Sequence, residues 1–467
     1  MSDIRVTVEY ADDTRVGGPL SEKLQNNFRD MFAPIHLALE AHGPEYVIDN
    51  VERLMGNVRG QPLFDALRDP ADRFRVAPDA LYPEERLIYP VGVVVEHVNT
   101  GRRIRLGKGE AHHRTIAGMV GPVPDVSLLP GDATFIGHNA VRIASDRAAV
   151  LVDPWLVPGS TRYGGYQPIG RRQIGPVDAI LLTHSHPDHY DPGSLLQFHP
   201  STRIIVPRVD RESLLSANLE FRLRQLGFVN VEALDWWSET TVGDIAVAAL
   251  PFYGEQPTNS SQMCPDVRMM GNTYLVRTPR FSCALVADSG RDRSGDVRDV
   301  GLEARRRWGP IDVLFSGYRG WSLYPIQYFE SSVRQYLLFV PQELYAVRQS
   351  IMNGPAEAAD TAEAWGARFL TPYGDGGAPW YADLGLGPDP RTAYGSGARE
   401  WLHFDPLPER VAEELRARSS PLPGVVVKSR VRPLLLRPGQ SVRFDQGIGE
   451  ILESDGHRWP QYEGVMA

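Results

Sequence analysis

The sequence predicts an α/β fold with a smaller α+β domain in front of it. From about residue 123 onward, short β-branched and apolar runs alternate with amphipathic stretches, as strands and helices laid down in turn would. The first 120 or so residues lack that alternation, and Gly121-Pro122-Val123-Pro124 punctuates the boundary as a linker. One apolar run, Leu181-Leu182-Thr183, leads directly into His184-Ser185-His186-Pro187-Asp188-His189, a density of metal-ligating side chains that packing does not require.

In the leading region, residues 1–122, Ser21 can cap a helix whose face includes Leu24, Phe28, Met31 and Phe32. Gly43-Pro44 separates it from a second apolar face at Val47, Val51, Leu54 and Met55. Val91 to Val98 is a β-branched strand, followed by the basic stretch Arg102, Arg103, Arg105 and Lys108. This α+β domain is expected to serve dimerisation or to act as a substrate lid, with a homodimer as the expected state.

Residues 123–467 are expected to form the catalytic domain. Ala133 to Ile143 and Ala148 to Asp153 read as strands paired around Ser145-Asp146. The series continues at Ala179 to Thr183, Arg203 to Val206, Ile245 to Leu250, Tyr274 to Arg277, Ala284 to Ala287, Val313 to Phe315 and Phe369 to Leu370. Helices are expected between them, at Asp210 to Leu226 and Ala356 to Trp365. No internal repeat or low-complexity tract interrupts the pattern.

Composition narrows the function. A chain of 467 residues can bury a large core. The 58 acidic residues outnumber 49 Lys and Arg, a net charge of -9 that argues against a nucleic-acid binder. No run of 18 uncharged apolar residues is present, so a spanning helix is not expected. The first ten residues lack the basic head and apolar core of a secretory leader, which makes a cytoplasmic location the expectation. Cys264 and Cys283 are too few for a disulfide framework, a four-cysteine zinc site or an iron–sulfur cluster. Neither a dinucleotide-binding glycine motif nor a P-loop occurs. Redox chemistry, if present, needs electrons from a separate protein.

At the extended end of a strand His184 and His186 point to one side, and a bend at Pro187 lets Asp188 and His189 turn toward a second point nearby. Two adjacent metal ions explain the cluster economically; a polar loop of hydrogen-bonded histidines is the plainer alternative. His-x-His-x-Asp-His after an apolar strand resembles the signature of the metallo-β-lactamase fold. Gly137-His138-Asn139 and Val152-Asp153-Pro154 look like that superfamily's first strand pair and its aspartate.

The resemblance covers roughly residues 125 to 390 and implies an αββα sandwich. It implies that His184 and His186 hold a first metal, that Asp188 and His189 hold a second, and that Asp153 orients the loop or a ligand. Hydrolytic members usually add a third His, a bridging Asp and a last His. Here Pro251-Phe252-Tyr253-Gly254-Glu255 offers Glu255 in place of the third His, while Asp288 fits the bridging aspartate. At the last position Thr371-Pro372-Tyr373-Gly374 contains no His, which leaves an expected vacancy on the second metal. His138, Asp153, Tyr373 and His403 remain candidates for the surroundings of the site, whereas His112, His113 and His457 read as surface or core residues.

Three histidines and three carboxylates make a donor set rich in hard anionic oxygen, which suits iron and O2 chemistry better than zinc hydrolysis. With these departures the sequence resembles the metallo-β-lactamase-fold nonheme diiron monooxygenases of specialised metabolism, a family spanning hydroxylases of chloramphenicol and of platensimycin and platencin diterpenoid biosynthesis. That resemblance implies two Fe, O2 and an external electron donor, a reductase or ferredoxin. Hydroxylation of an unactivated C–H bond follows from it, with Glu255 and Asp288 as catalytic ligands. The implied substrate is a small molecule, a CoA- or carrier-protein-linked terpenoid or amino acid.

Tyr318, Trp321, Tyr324 and Tyr328, continued by Phe329, Tyr336 and Phe339, form an aromatic-rich insertion that reads as an apolar substrate wall or equally as ordinary core. Arg102, Arg103, Arg105 and Lys108 could meet phosphates of a phosphopantetheine arm, or form a solvated loop. Two other functions stay open: a zinc- or manganese-dependent hydrolase of a lactone or phosphodiester, and a binding protein without turnover.

Overall fold

The computed structural model describes residues 4–11, 89–97, 100–106, 113, 121–125, 129, 131–156, 169–186, 188–210, 216–255, 269–292, 294–320, 322–323, 349–350, 352–374, 408–419, 430–445 and 448–453. The two expected N-terminal helices lie outside them, as do Trp321, Tyr324, Tyr328, Phe329, Tyr336, Phe339 and His403.

Near the N-terminus, β1 (Ile4–Ala11), β2 (Tyr89–His97) and β3 (Arg102–Leu106) form an antiparallel three-stranded sheet. The expected strand from Val91 is thus the middle of a meander. Val95 packs with Leu129, Leu219 and Leu223, so this sheet rests against the helical side of the larger unit.

The larger unit is built on two sheets. Its first contains β4 (Ala133–Gly137), β5 (Ala140–Ala144), β6 (Ala149–Val152), β7 (Ala179–Leu181), β8 (Arg203–Pro207) and β9 (Val231–Leu234) in spatial order, antiparallel up to β6 and parallel from β6 to β9. The second contains β10 (Glu239–Val242), β11 (Ile245–Pro251), β12 (Asn272–Arg277), β13 (Ser282–Leu285) and β14 (Val313–Ser316). A two-stranded pair, β15 (Ser322–Leu323) with β16 (Gln349–Ser350), stands apart. The second sheet ends with β17 (Phe369–Pro372) and β18 (Arg432–Pro433), both parallel to β14. β19 (Gln440–Asp445) and β20 (Ile448–Glu453) return to the first sheet beside β4.

The period-2 alternation of these strands assembles three cores. In β7, Ala179 and Leu181 face the other sheet, whereas Ile180 and Leu182 face outward. In β14, Val313 and Phe315 point between the sheets and Leu314 points away. The outward residues of the first sheet are covered by short helices α1 (Arg171–Ile174), α2 (Pro192–Leu195) and α3 (Leu219–Gln225). Those of the second meet α4 (Val297–Trp308), α5 (Pro355–Trp365) and α6 (Glu409–Ser419). The layers are helix, sheet, sheet, helix, each fully buried aliphatic side chain adding about 1.5–3 kcal/mol.

Close approach of α4 and α5 depends on Gly301, because a Cβ there would stand 2.2 Å from the Trp365 ring. Asp296 caps α4 by accepting from the Arg298 N–H, so this helix begins on a standard signal despite its arginine-rich face.

Two expectations need correction. Ala133 to Ile143 is not one strand: the chain turns at His138-Asn139, where His138 adopts φ +54° after Gly137 at φ +139°. The helix expected from Asp210 starts at Leu219, capped by Asn218, whose side chain accepts from the Phe221 N–H. Among the described residues no helix is long and apolar enough to cross a membrane.

The C-terminal ends of β6, β7, β13, β14 and β17 open on one edge of the sandwich, together with the β4–β5 turn and the end of β11. The metal-ligating residues collect at that edge.

Candidate metal centre

β7 delivers the histidine segment. Asn272 N–H donates to Thr183 O (2.8 Å) and the Tyr274 hydroxyl donates to Leu182 O (2.8 Å), which pins the strand end to the second sheet. Beyond it, Tyr190 N–H donates to His186 O (2.8 Å), closing the turn that carries Asp188 and His189. His184 and His189 are fully buried.

Asp153 organises these rings from below. Its carboxylate accepts from the Thr183 N–H (2.8 Å), the Thr183 hydroxyl (2.6 Å) and His189 Nδ1 (2.8 Å). Because the single Thr183 hydroxyl proton goes to Asp153, Thr183 Oγ1 accepts from His184 Nδ1 (3.0 Å). Both rings therefore carry their proton on Nδ1 and present a bare Nε2 lone pair to the centre, the tautomer a metal ligand needs.

Two half-sites result. In the first, His184 Nε2 lies 3.0 Å from His186 Nδ1 and 3.9 Å from Asp288 Oδ2, while His186 Nδ1 lies 3.5 Å from Glu255 Oε2. In the second, His138 Nε2 lies 2.9 Å from Asp188 Oδ2, and His189 Nε2 lies 3.2 Å from Asp288 Oδ2 and 3.8 Å from Asp188 Oδ2. Donors roughly 2.0–2.2 Å from one cation sit roughly 3–4 Å from each other, so these separations suit a cation in each half. Asp288 Oδ1 is buried with no hydrogen-bond partner, a costly arrangement that a metal ion would relieve. The donor set thus fits a two-metal centre with Asp288 between the halves.

Charge crowding points the same way. Burial, reinforced by the carboxylates of Asp288 and Asp188, pushes the Glu255 carboxyl well above its ordinary range. Burial and the neighbouring imidazoles of His189 and His186 hold His184 well below its own. For His189 burial pulls downward, but Asp188, Asp288 and Asp153 outweigh it and raise the ring well above its usual value.

The loops are held with some strain. Five described non-glycine residues have positive φ, and four of them are His138 (+54°), Asp153 (+39°), Glu255 (+53°) and Ala287 (+48°), all at or next to the cluster. Tyr253 N–H donates to Ser289 Oγ (3.0 Å) and Gly290 N–H donates to Tyr253 O (2.8 Å), tying the Glu255 loop to the Asp288 loop. Tyr373 meets the cluster through the Asp288 loop. Its buried hydroxyl accepts from Ala287 N–H (2.7 Å), fixing the turn before Asp288.

The position where a hydrolase would place its last His is closed in an instructive way. Gly374 N–H donates to His138 O (2.9 Å), and a Cβ at Gly374 would stand 2.9 Å from Asn139 Oδ1. His138 reaches the second half from this hairpin, where with Asp188 and His189 it forms a group that could hold a metal ion. Asn139 Nδ2 lies 3.1 Å from both His138 Nε2 and His189 Nε2.

Sequence reasoning missed Asn139 and Arg319 as neighbours of the centre. Arg319, 7% exposed in the turn after β14, is near enough for its charge to act in the lowering direction on both Glu255 and Asp288. Only the Gly-x-x-Gly turn around it hinted at a special backbone. Tyr318 is fully buried in the core shared with α4 and α5, so it packs rather than lining an opening. His113 packs edge-on against Phe228, away from the cluster.

Residues 149–372 match the model of a beta-lactamase superfamily domain. The chain carries a metallo-β-lactamase-fold domain. This domain region is 29% identical over 212 residues to a 4-amino-L-phenylalanyl (CmlP peptidyl-carrier-protein) 3-hydroxylase of Streptomyces venezuelae, covering 42% of this chain and 37% of that protein. A shorter stretch is 32% identical over 73 residues to a metal-dependent hydrolase of Aeropyrum pernix, covering 15% of this chain and 28% of that protein. This chain therefore spans only about 28% to 37% of the length of these two curated relatives. The crystal structure of CmlA, a diiron β-hydroxylase from Streptomyces venezuelae, superposes with a TM-score of 0.52 at 18% identity, covering 74% of this chain and 68% of that one. At that identity the superposition establishes the shared fold.

Proposed function

We propose that the protein is an O2-dependent nonheme diiron monooxygenase that hydroxylates an unactivated C–H bond of a specialised-metabolite intermediate. The observation that carries this reading is Glu255 beside His186, where hydrolytic members of the fold supply an imidazole. Each half of the centre then offers two imidazoles and two carboxylates: His184, His186, Glu255 and Asp288 in one, His138, His189, Asp188 and Asp288 in the other. Mixed shells of this kind suit iron, because anionic oxygen stabilises its higher oxidation states. Two iron ions bound there would supply O2 activation, placing one oxygen atom on carbon and releasing the other as water with two external electrons.

The protein's own residues position and tune. Asp153 and Thr183 hold the ring protons of His189 and His184 on Nδ1. Arg319 balances the charge of Glu255 and Asp288. Asp188, whose side chain is 38% exposed, marks the open side from which a substrate approaches. The Streptomyces relative is named for an amino acid on a peptidyl carrier protein, which supports a carrier- or CoA-linked small molecule, an amino acid or terpenoid, as substrate here. A reductase or ferredoxin is the proposed electron source, and residues 1–122 the proposed dimerisation or lid domain of a cytoplasmic homodimer.

A zinc- or manganese-dependent hydrolase of a lactone or phosphodiester is the second reading. It is favoured by His138, which raises the imidazoles to four, and by the hydrolase named among the relatives. Metal analysis of protein purified without added metal, followed by O2-uptake measurements after reduction, separates the two. About two Fe per chain with O2 consumption supports the oxygenase. Zinc with hydrolysis of model lactones or phosphodiesters and no O2 uptake overturns it.

A further inference from the structure

At the opposite end of the sandwich from the metal-ligating cluster, the segments leading into β14 and β17, with β18, border a cleft of about 460 Å³. Strands of four residues separate the two ends, roughly 13 Å of chain. The cleft is lined by Arg368, Arg430 and Arg432, with Asp312 as the sole acidic group among its lining residues. Three arginines thus border the cleft beside one aspartate, in a chain whose net charge is -9.

Arg430 and Arg432 differ from other arginines on the surface. Arg306 and Arg307 share Glu303 at 2.6 Å, Arg410 pairs with Glu413 at 2.6 Å, and Arg418 pairs with Glu414 at 2.7 Å. Arg430 makes no side-chain ion pair among the described residues, and the Arg432 guanidinium lies over the Phe369 ring at 4.4 Å. Asp312 is already engaged: its Oδ2 accepts from the Ser282 N–H (2.9 Å), and Arg368 stands 3.5 Å from its Oδ1. The lining residues thus carry more positive than negative charge. Arg305 lies against Gly366, one of those residues, in the space a Cβ would fill.

The walls are rigid. Arg432 N–H donates to Arg368 O (2.9 Å), Arg368 N–H to Ile311 O (3.1 Å) and Phe369 N–H to Asp312 O (2.9 Å), so adjoining strand starts hold the backbone that carries these arginines. Their guanidinium forks match the oxygens of a tetrahedral oxyanion. A concavity of this size suits a small molecule rather than the flat face of a protein.

We propose that this cleft is a binding site for a phosphate-type oxyanion, either free or as a small phosphomonoester, separate from the metal centre. Isothermal titration calorimetry on the metal-loaded full chain tests it, with inorganic phosphate, glycerol 2-phosphate and acetate as titrants at constant ionic strength. Wild type should bind phosphate or the ester saturably and acetate not at all. The stronger of the two phosphate responses identifies the form of the ligand. Arg430→Gln/Arg432→Gln should weaken that binding about tenfold or more, while Arg410→Gln binds as wild type does. Arg430→Gln alone should shift affinity in the same direction with an unchanged thermal midpoint, which covers instability of the double variant. Equal phosphate affinity in wild type and the double variant, equal responses to phosphate and acetate, or no saturable binding would each overturn the proposal.

Discussion

The two halves of the metal-ligating cluster share Asp288 but are built differently. The His184–His186–Glu255 half is closed: its side chains are buried, and the Glu255 and Asp288 loops are tied together through Tyr253, Ser289 and Gly290. The His138–Asp188–His189 half is open on one side, where Asp188 is 38% exposed, and it depends on a hairpin turn some 50 residues earlier in the chain. A closed half retains a cation and fixes its ligands, whereas an open half leaves room for an incoming molecule. Under the proposed function, tight metal holding falls to the first and substrate access to the second.

The largest effect should come from the shared residue. Asp288→Ala removes a donor from both halves, so metal content, measured by inductively coupled plasma mass spectrometry, should fall from about two ions per chain to near zero. Retention of one tightly bound ion would show that the halves do not depend on Asp288 equally.

Glu255→Ala should remove iron from the closed half alone, halving the metal content and abolishing hydroxylation. Full activity in that variant would take Glu255 off the ligand set. His138→Ala is its counterpart, expected to loosen the ion of the open half while the closed half stays filled; chelator competition resolves the two.

A smaller effect is expected below the ligands. Asp153→Asn keeps the shape but weakens the hold on the His189 Nδ1 proton, and loss of such an outer partner typically costs about 10–100-fold in metal affinity. Titration with a competing chelator measures it, and an unchanged affinity would mean that Thr183 alone suffices to orient the rings.

The same contrast governs how much could be read from the amino-acid order. His184, His186, Asp188 and His189 lie within six residues at the end of an apolar strand, and Asp288 ends another, so local pattern exposes them. Glu255 was legible only through its place after the Ile245 strand. His138 was visible as a neighbour but not as the donor of the open half, because Ala133 to Ile143 looked like one continuous strand. The Gly137-His138-Asn139 triplet was the available signal: a glycine followed by polar residues marks a turn, and with Gly137 and His138 both at positive φ the turn aims the ring back at Asp188.

Arg319 comes near the centre only through tertiary structure, which no local spacing encodes. The helical layer shows a similar limit. Val297, Val300, Gly301 and Ala304 carry a helical period, but the arginines and glycine of α4 obscure it, and the reason for Gly301 lies in Trp365, distant in sequence.

Anomalous diffraction at the iron absorption edge, on crystals of protein purified without added metal, probes the two-iron centre directly. Two peaks are expected, one enclosed by His184, His186, Glu255 and Asp288, the other by His138, Asp188, His189 and Asp288. A single peak, a signal at the zinc edge instead, or a Glu255 side chain turned away from the metal would contradict it.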